Sequence, residues 1–213
     1  KEEEKEQLKE MREQAREDAK LQQEIAEERR RIQKEQTHYE NALSQLVTQL
    51  DHAEGDAKEE IIARISEIKR TLSDINKNME DIDYRESNQR AGYVYVISNI
   101  GAFGEKVFKI GMTRRLNPQE RIDELSNASV PFNFDIHAMI FSDDAPKLEA
   151  ALHRRFEDRK LNMVNLRREF FYASIEEIKE VIRENYTKAV DFIDIPEAEQ
   201  YRVSLKMKEV ENA

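Results

Sequence analysis

The sequence predicts an α+β protein in which a long helical coiled-coil hairpin precedes a small antiparallel sheet flanked by helices. Residues 1–90 contain neither Pro nor Phe and only one Gly, and they are rich in the residues that favour long helices. All nine Phe and all four Pro residues follow position 100, so the material for a compact core lies in the second half. We therefore predict a helical coiled-coil stalk over residues 1–90, one small domain over residues 91–186 and a C-terminal tail over residues 187–213.

The first helix of the stalk carries two heptad series of apolar residues. One series comprises Met11, Ile25, Ile32, Tyr39 and Leu46, and the other comprises Leu8, Ala15, Leu43 and Leu50. Many partner positions between residues 12 and 36 hold Gln, Arg or Asp. The predicted seam is therefore weak in that stretch and becomes regular from Tyr39 onward.

A break at residues 51–56 separates this helix from a second one. Gly55 and Asp56 suit the end of one helix and the N-cap of the next. Beyond the break, apolar residues recur at alternating spacings of four and three, at Ile61, Ile65, Ile68, Leu72, Ile75, Met79 and Ile82. Two seams that flank a short turn predict an antiparallel hairpin within one chain. The alternatives are a homo-oligomer formed through the coiled coil and a spacer toward another domain.

The elements of the globular domain follow from its β-branched and aromatic runs and its caps. Strands are predicted at residues 93–98, 106–112 and 132–141, with a short extended segment at residues 169–172. Helices are predicted to begin at Asn117-Pro118, Ala145 and Ser174, since Pro suits a first helical turn and Ser an N-cap.

The predicted hairpin of the first two strands brings candidate functional side chains together. Strand alternation places Tyr95 on one face of the first strand, and Lys109 and Gly111 on one face of the second. A phenol and an ammonium group can therefore converge beside a residue without a side chain, where a ligand could approach the backbone. On a later helix, Glu149 and His153 are i, i+4 neighbours.

The net charge of −10 is unevenly distributed along the chain. Residues 1–90 hold 17 basic and 24 acidic residues, whereas residues 91–186 hold 14 and 15. Within the second half the basic residues cluster, as at Arg114-Arg115 and Arg154-Arg155. Because salt screens exposed charges beyond about 8–10 Å, such clusters on a nearly neutral domain can still meet a phosphate backbone.

The absence of Cys excludes disulfides and thiolate metal sites and is compatible with a reducing, cytoplasmic compartment. No segment is apolar for long enough to span a membrane or to act as a signal peptide. Because the sequence begins with Lys, an upstream domain or a membrane anchor outside it stays an open alternative.

The order and spacing of these features resemble the GIY-YIG nuclease superfamily. The first motif of that family, Gly-Ile-Tyr-x-Ile-x-Asn, aligns with residues 93–99, and the second, Tyr-Ile-Gly-x-Thr, aligns with residues 109–113. The helix arginine of the family falls on Arg121 and its metal-binding glutamate on Glu149. Lys109 replaces the tyrosine of the second motif, which resembles some restriction-enzyme members. The Lys-Ile-Gly motif looks most like the branch common in phages and bacterial anti-phage proteins.

The resemblance implies a metal-dependent endonuclease that hydrolyses DNA phosphodiester bonds in bacterial anti-phage defence. It implies that Glu149 holds Mg²⁺ or Mn²⁺, that Arg121 braces the phosphate and that Tyr95 acts as general base with Lys109 nearby. Lys109 alternatively positions the attacking water, and His153 could assist proton transfer, so the identity of the base stays open.

The sequence also indicates candidate residues for contact with DNA. Phosphate contacts are expected from Thr113, Arg114, Arg115, Arg154 and Arg155. Two other functions are compatible with the sequence. One alternative is a catalytically weak module that only binds DNA on a coiled-coil scaffold. The other is a structural coiled-coil protein whose globular half merely caps the stalk.

Overall fold

The computed structural model of the chain describes residues 2–127, 130–165 and 168–211. The chain divides into two compact units, residues 1–89 and residues 90–213. The first unit consists of two helices, α1 (Glu2–Leu50) and α2 (Gly55–Ser87). The second contains, in chain order, β1 (Gly92–Ser98), α3 (Ile100–Phe103), β2 (Val107–Thr113), α4 (Pro118–Asn127), β3 (Asp135–Ser142), α5 (Ala145–Arg155), β4 (Phe170–Tyr172), α6 (Ile175–Asn185) and α7 (Glu199–Glu211). The predicted α+β class is confirmed.

The two helices of the first unit pack against each other as the predicted antiparallel hairpin. Arg29 of α1 pairs with Asp83 and Glu86 near the end of α2, at 2.6 and 2.7 Å. The α2 seam predicted from heptad spacing is buried or half-buried throughout, and Ile65, Ile75 and Ile82 are its buried members. Near the start of α1, Leu8 and Met11 are exposed. The stretch of residues 12–36, where the predicted seam is weak, nevertheless contains the buried apolar residues of α1, Leu21, Ile25 and Ile32.

The second unit is built on a four-stranded antiparallel sheet with the strand order β3-β1-β2-β4. Alternation along β1 sends Val94 and Val96 to one face, where they pack with α5 and α6 in the larger core. Tyr95 and Ile97 point to the other face and pack with Ile122 of α4. Because helices pack on both faces of the sheet, the side chains of β1 are buried apart from Tyr93, which is half-buried.

Two boundaries differ from the predictions for physical reasons. The third strand begins at Asp135 and not at residue 132, because Ser126 Oγ accepts a hydrogen bond from the Phe134 amide that a strand would need for its ladder. The C-terminal segment, predicted as a weakly patterned tail, contains α7. This helix has no clear apolar face, and it docks through long-range contacts such as the ring contact of Phe132 with Tyr201. Within the described part of the chain, no helix combines the length and apolar character that crossing a membrane requires.

Candidate functional site

Tyr95 lies directly opposite Gly111 in the pairing of β1 with β2. A Cβ atom at position 111 would lie 2.5 Å from the Tyr95 hydroxyl oxygen and 2.8 Å from Cζ, so only Gly leaves space for the phenol. The open side of Gly111 is thus filled by the ring of Tyr95, and the predicted approach of a ligand to that backbone is wrong. Burial raises the pKa of Tyr95, and the opposing effect of Lys109 is smaller, so the phenol is neutral at pH 7.

Lys109 is held between a carboxylate and two aromatic rings. Its register partner on β1 is Ile97, which places the side chain on the face that also carries Tyr95. Its Nζ donates to Glu169 Oε2 at 2.6 Å and lies 6.0 Å from the Tyr95 ring centroid and 5.4 Å from that of Phe170. Burial opposes its charge, but the charge of Glu169 and its hydrogen bond to Nζ favour it, and the pKa of Lys109 is raised overall. The lysine is therefore a charged donor.

Side chains of α5 hydrogen-bond the backbone groups of β2 that the short strand β4 does not reach. β4 pairs with β2 only from Val107 to Lys109, and the Ile110 amide then donates to the Glu169 carbonyl at 3.1 Å. His153 Nε2 donates to the Ile110 carbonyl at 2.9 Å, and the Met112 amide hydrogen-bonds the Glu149 carboxylate. Because buried backbone groups require partners, this edge fixes where Glu149 and His153 lie.

The protonation of these two α5 side chains follows from their surroundings. Burial and the neighbouring Glu169 raise the pKa of Glu149 to about 7. Burial lowers the pKa of His153, which is therefore neutral at pH 7. A carbonyl oxygen only accepts, so Nε2 of His153 carries the proton and Nδ1 keeps the lone pair. Nδ1 can therefore take up a proton or ligate a metal.

Glu149, His153 and Glu169 offer donor atoms that all lie within 4.8 Å of one another. Two carboxylates and a neutral imidazole are a chemically reasonable donor set for a divalent metal ion. Glu149 and His153 are site residues that the sequence predicts, whereas Glu169 is not predicted. In the sequence, Glu169 stands out only because it directly precedes the short extended segment Phe170–Tyr172. This position becomes informative once that segment is known to pair with β2, the strand that carries Lys109.

The predicted arginines occupy different environments. Arg121 is half-buried on α4, with its guanidinium 3.6 Å from the Glu124 carboxylate. It lies close enough to Lys109 for its positive charge to oppose, in small part, the overall rise in the lysine pKa. Arg115 is 2 % exposed and pairs with Glu124 at 2.7 Å, which favours a structural role over contact with DNA.

The other residues expected to contact nucleic acid differ in exposure. Thr113 is buried, and its hydroxyl accepts from the Arg115 amide at 3.3 Å. Arg114 is half-buried, whereas Arg154 and Arg155 are exposed on α5. The structure thus brings Tyr95, Lys109, Arg121, Glu149 and His153 into one neighbourhood and leaves Arg154 and Arg155 on the surface of the helix that carries Glu149.

The sheet with its carboxylate–imidazole cluster and buried lysine defines a small α+β domain whose site suits chemistry on a charged ligand. Residues 92–185 match the T5orf172 domain, a phage-associated family related to nucleases. The match supports a nuclease-like domain in the second half of the chain. No curated protein and no solved structure matches the chain.

Proposed function

We propose that this protein is a metal-dependent endonuclease of the GIY-YIG type that hydrolyses DNA phosphodiester bonds. The observation that carries the proposal is the convergence of Glu149 with Lys109, Tyr95 and Arg121 at the open end of the β2 edge. The T5orf172 match supports it, since that family is nuclease-related. A cap for the helical hairpin would not need two carboxylates, a neutral imidazole and a buried ammonium in one place.

The residues present fit a divalent cation. Glu149 would hold Mg²⁺ or Mn²⁺, because its partly buried carboxylate faces a second carboxylate whose repulsion a cation would relieve. When bound, the ion would polarise the phosphate and favour deprotonation of water. The Met112 amide keeps the Glu149 carboxylate oriented.

The remaining side chains would act on the phosphate and on the attacking water. In the reaction class, a water oxygen forms a bond to phosphorus while a bond from phosphorus to a sugar oxygen breaks. Lys109, being charged, would stabilise negative charge on the phosphate, and Arg121 would brace its oxygens with a planar fork. Tyr95 would donate a hydrogen bond, because burial keeps its phenol neutral. Tyr95 could act as general base only if a bound cation lowered the pKa of its phenol enough for the proton to leave.

Cleavage of a supercoiled plasmid with Mg²⁺ or Mn²⁺ tests this function. Wild type should nick the plasmid, EDTA should stop it, and Glu149→Ala should reduce the rate by at least about a hundredfold. Glu180→Ala, which removes an exposed carboxylate from α6, should cut like wild type. Equal residual cutting by wild type and Glu149→Ala would contradict the proposal and indicate a contaminating nuclease.

The tight contact of Lys109 with Glu169 and the neutral phenol of Tyr95 also suit a catalytically weak module that only binds DNA. A gel-shift measurement separates the two functions. DNA retained by wild type without any metal-dependent cutting would favour the binding module.

The biological role proposed is bacterial anti-phage defence, in line with the phage association of the T5orf172 family. A phage should form fewer plaques on a lawn of cells that express wild type than on cells that express Glu149→Ala at an equal protein level. Equal plaque counts would remove the defence role while leaving the enzymatic proposal untouched.

A further inference from the structure

The carboxylate of Glu169 lies between the ammonium group of Lys109 and the donor atoms of Glu149 and His153. On one side it accepts from Lys109 Nζ at 2.6 Å. On the other side it lies within 4.8 Å of donor atoms of Glu149 and His153. Donor atoms on one ion with bonds of about 2.1 Å lie about 3 Å apart when adjacent and about 4.2 Å apart when opposite, so the three side chains would have to move closer together to share an ion.

His153 is prepared to be one of those ligands. Its Nε2–H is fixed on the Ile110 carbonyl at 2.9 Å, and its ring packs on Phe171 with the centroids 5.0 Å apart. Because Nε2 carries the proton in this hydrogen bond, Nδ1 keeps a lone pair that a metal ion could bind. Imidazole nitrogen binds first-row transition dications better than Mg²⁺, which prefers oxygen and water.

Lys109 cannot withdraw far from the cluster. It is 8 % exposed, and the rings of Tyr95 and Phe170 flank its ammonium group at 6.0 and 5.4 Å. Its charge would therefore remain close to any cation bound at Glu169. Two cations that share a carboxylate in a partly buried place repel each other, and each lowers the affinity of the other.

We propose that Glu149, His153 and Glu169 form a three-ligand site for a first-row transition dication such as Mn²⁺, and that Lys109 lowers the affinity of this site by competing for Glu169. The proposal rests on the proposed function, because it concerns the metal of the same site. It goes further by giving Glu169 and His153 the role of ligands, by ranking Mn²⁺ above Mg²⁺ and by giving Lys109 control over metal affinity.

Metal binding to the full chain tests the proposal without measuring activity. Calorimetric titration with MnCl₂ and MgCl₂, with the loss of the free Mn²⁺ resonance signal as a second readout, should show Mn²⁺ binding at least about tenfold more tightly. Glu169→Gln should weaken Mn²⁺ binding by about tenfold or more. His153→Gln should bring the two metals to similar affinity.

Lys109→Met should tighten Mn²⁺ binding by about tenfold, because it removes the competing charge and keeps the chain length. Lys106→Met, which removes an exposed charge just before the same strand, should leave it unchanged. Should Lys109→Met fail to fold by circular dichroism, Lys109→Gln carries the same expectation. Unchanged or weaker binding in the Lys109 variant, or an unchanged metal preference in His153→Gln, would overturn the proposal.

The two proposals fail separately. Metal binding with the expected ranking but no plasmid cleavage would leave the site intact and remove the endonuclease. Glu149-dependent cleavage with no effect of His153 or Glu169 on metal binding would leave the endonuclease and remove the three-ligand site.

Discussion

The cross-strand pair of Tyr95 and Gly111 shows how a single missing side chain positions a candidate functional group. Changing Gly111 to Ala would place a methyl group 2.5 Å from the Tyr95 hydroxyl, well inside van der Waals contact. Overpacking of this kind costs roughly 1–3 kcal/mol. We expect Gly111→Ala to lower the free energy of unfolding by about that amount, measured in urea, and to reduce plasmid cleavage because the phenol must move.

A double-mutant cycle shows whether this contact is the cause. In a Tyr95→Ala background the space over position 111 is free, so the added methyl group should cost much less. An equal cost of Gly111→Ala in both backgrounds would show that the strain arises elsewhere in the strand.

At the same scale, the position of some residues of the candidate site follows from the sequence, whereas the position of Glu169 does not. Tyr95 and Lys109 follow from strand alternation, and Glu149 and His153 follow from helical spacing, because both periodicities are local. Glu169 depends on which strand its segment pairs with. That pairing joins residues about 60 positions apart and has no local signature.

At the scale of single elements, α6 begins with a complete N-terminal cap. Ser174 and Glu177 form a reciprocal capping box, and Arg159 pairs with Glu177 at 2.8 Å. The hydrogen bond from the Ser174 backbone, followed by that from Arg159, lowers the pKa of Glu177 to about 2 from the ordinary 4.5. A depressed folded-state pKa means that the stabilisation is present above pH 4.5 and disappears as the pH falls toward 2.

We therefore expect Glu177→Gln to lose about 1 kcal/mol of stability at pH 7, a value that allows for solvent screening of this partly exposed pair. The difference from wild type should shrink between pH 4.5 and pH 2 in denaturant titrations. Glu176→Gln, one position earlier in the same helical turn and exposed, is the matched control and should leave the stability at pH 7 close to that of wild type. A difference that stays constant with pH would argue against the ionised cap.

Element prediction succeeded where the burial pattern is periodic and failed where docking is long-range. The heptads of α2 gave its packing face correctly, and the apolar runs gave β1 and β2. The helix α7 could not be predicted from the sequence, because its apolar residues form no single face that is buried. Val203, Met207 and Val210 are all exposed. Its position depends on contacts such as the Asn133 amide with Gln200, which join residues 67 positions apart.

For the whole molecule, the distribution of charge matters more than its sum. The helical unit carries most of the acidic excess, since residues 1–90 hold 24 acidic and 17 basic residues against 15 and 14 in residues 91–186. Arg154 and Arg155 are exposed on the helix that also carries Glu149. Binding to DNA would release counterions from the duplex, so contact between these arginines and phosphates should appear in the salt dependence of affinity.

The double variant Arg154→Ala/Arg155→Ala, made in a Glu149→Ala background so that DNA stays intact, should bind duplex DNA more weakly and without a change in sequence preference. The slope of log affinity against log salt concentration should become shallower by about 1–2, because each lost phosphate contact accounts for about 0.9. Lys69→Ala/Arg70→Ala, which removes two adjacent exposed basic residues from α2, is the matched control and should leave the slope unchanged. Equal losses in both double variants would mean that net charge alone governs binding, and no loss in either would move the DNA-binding surface away from this end of α5.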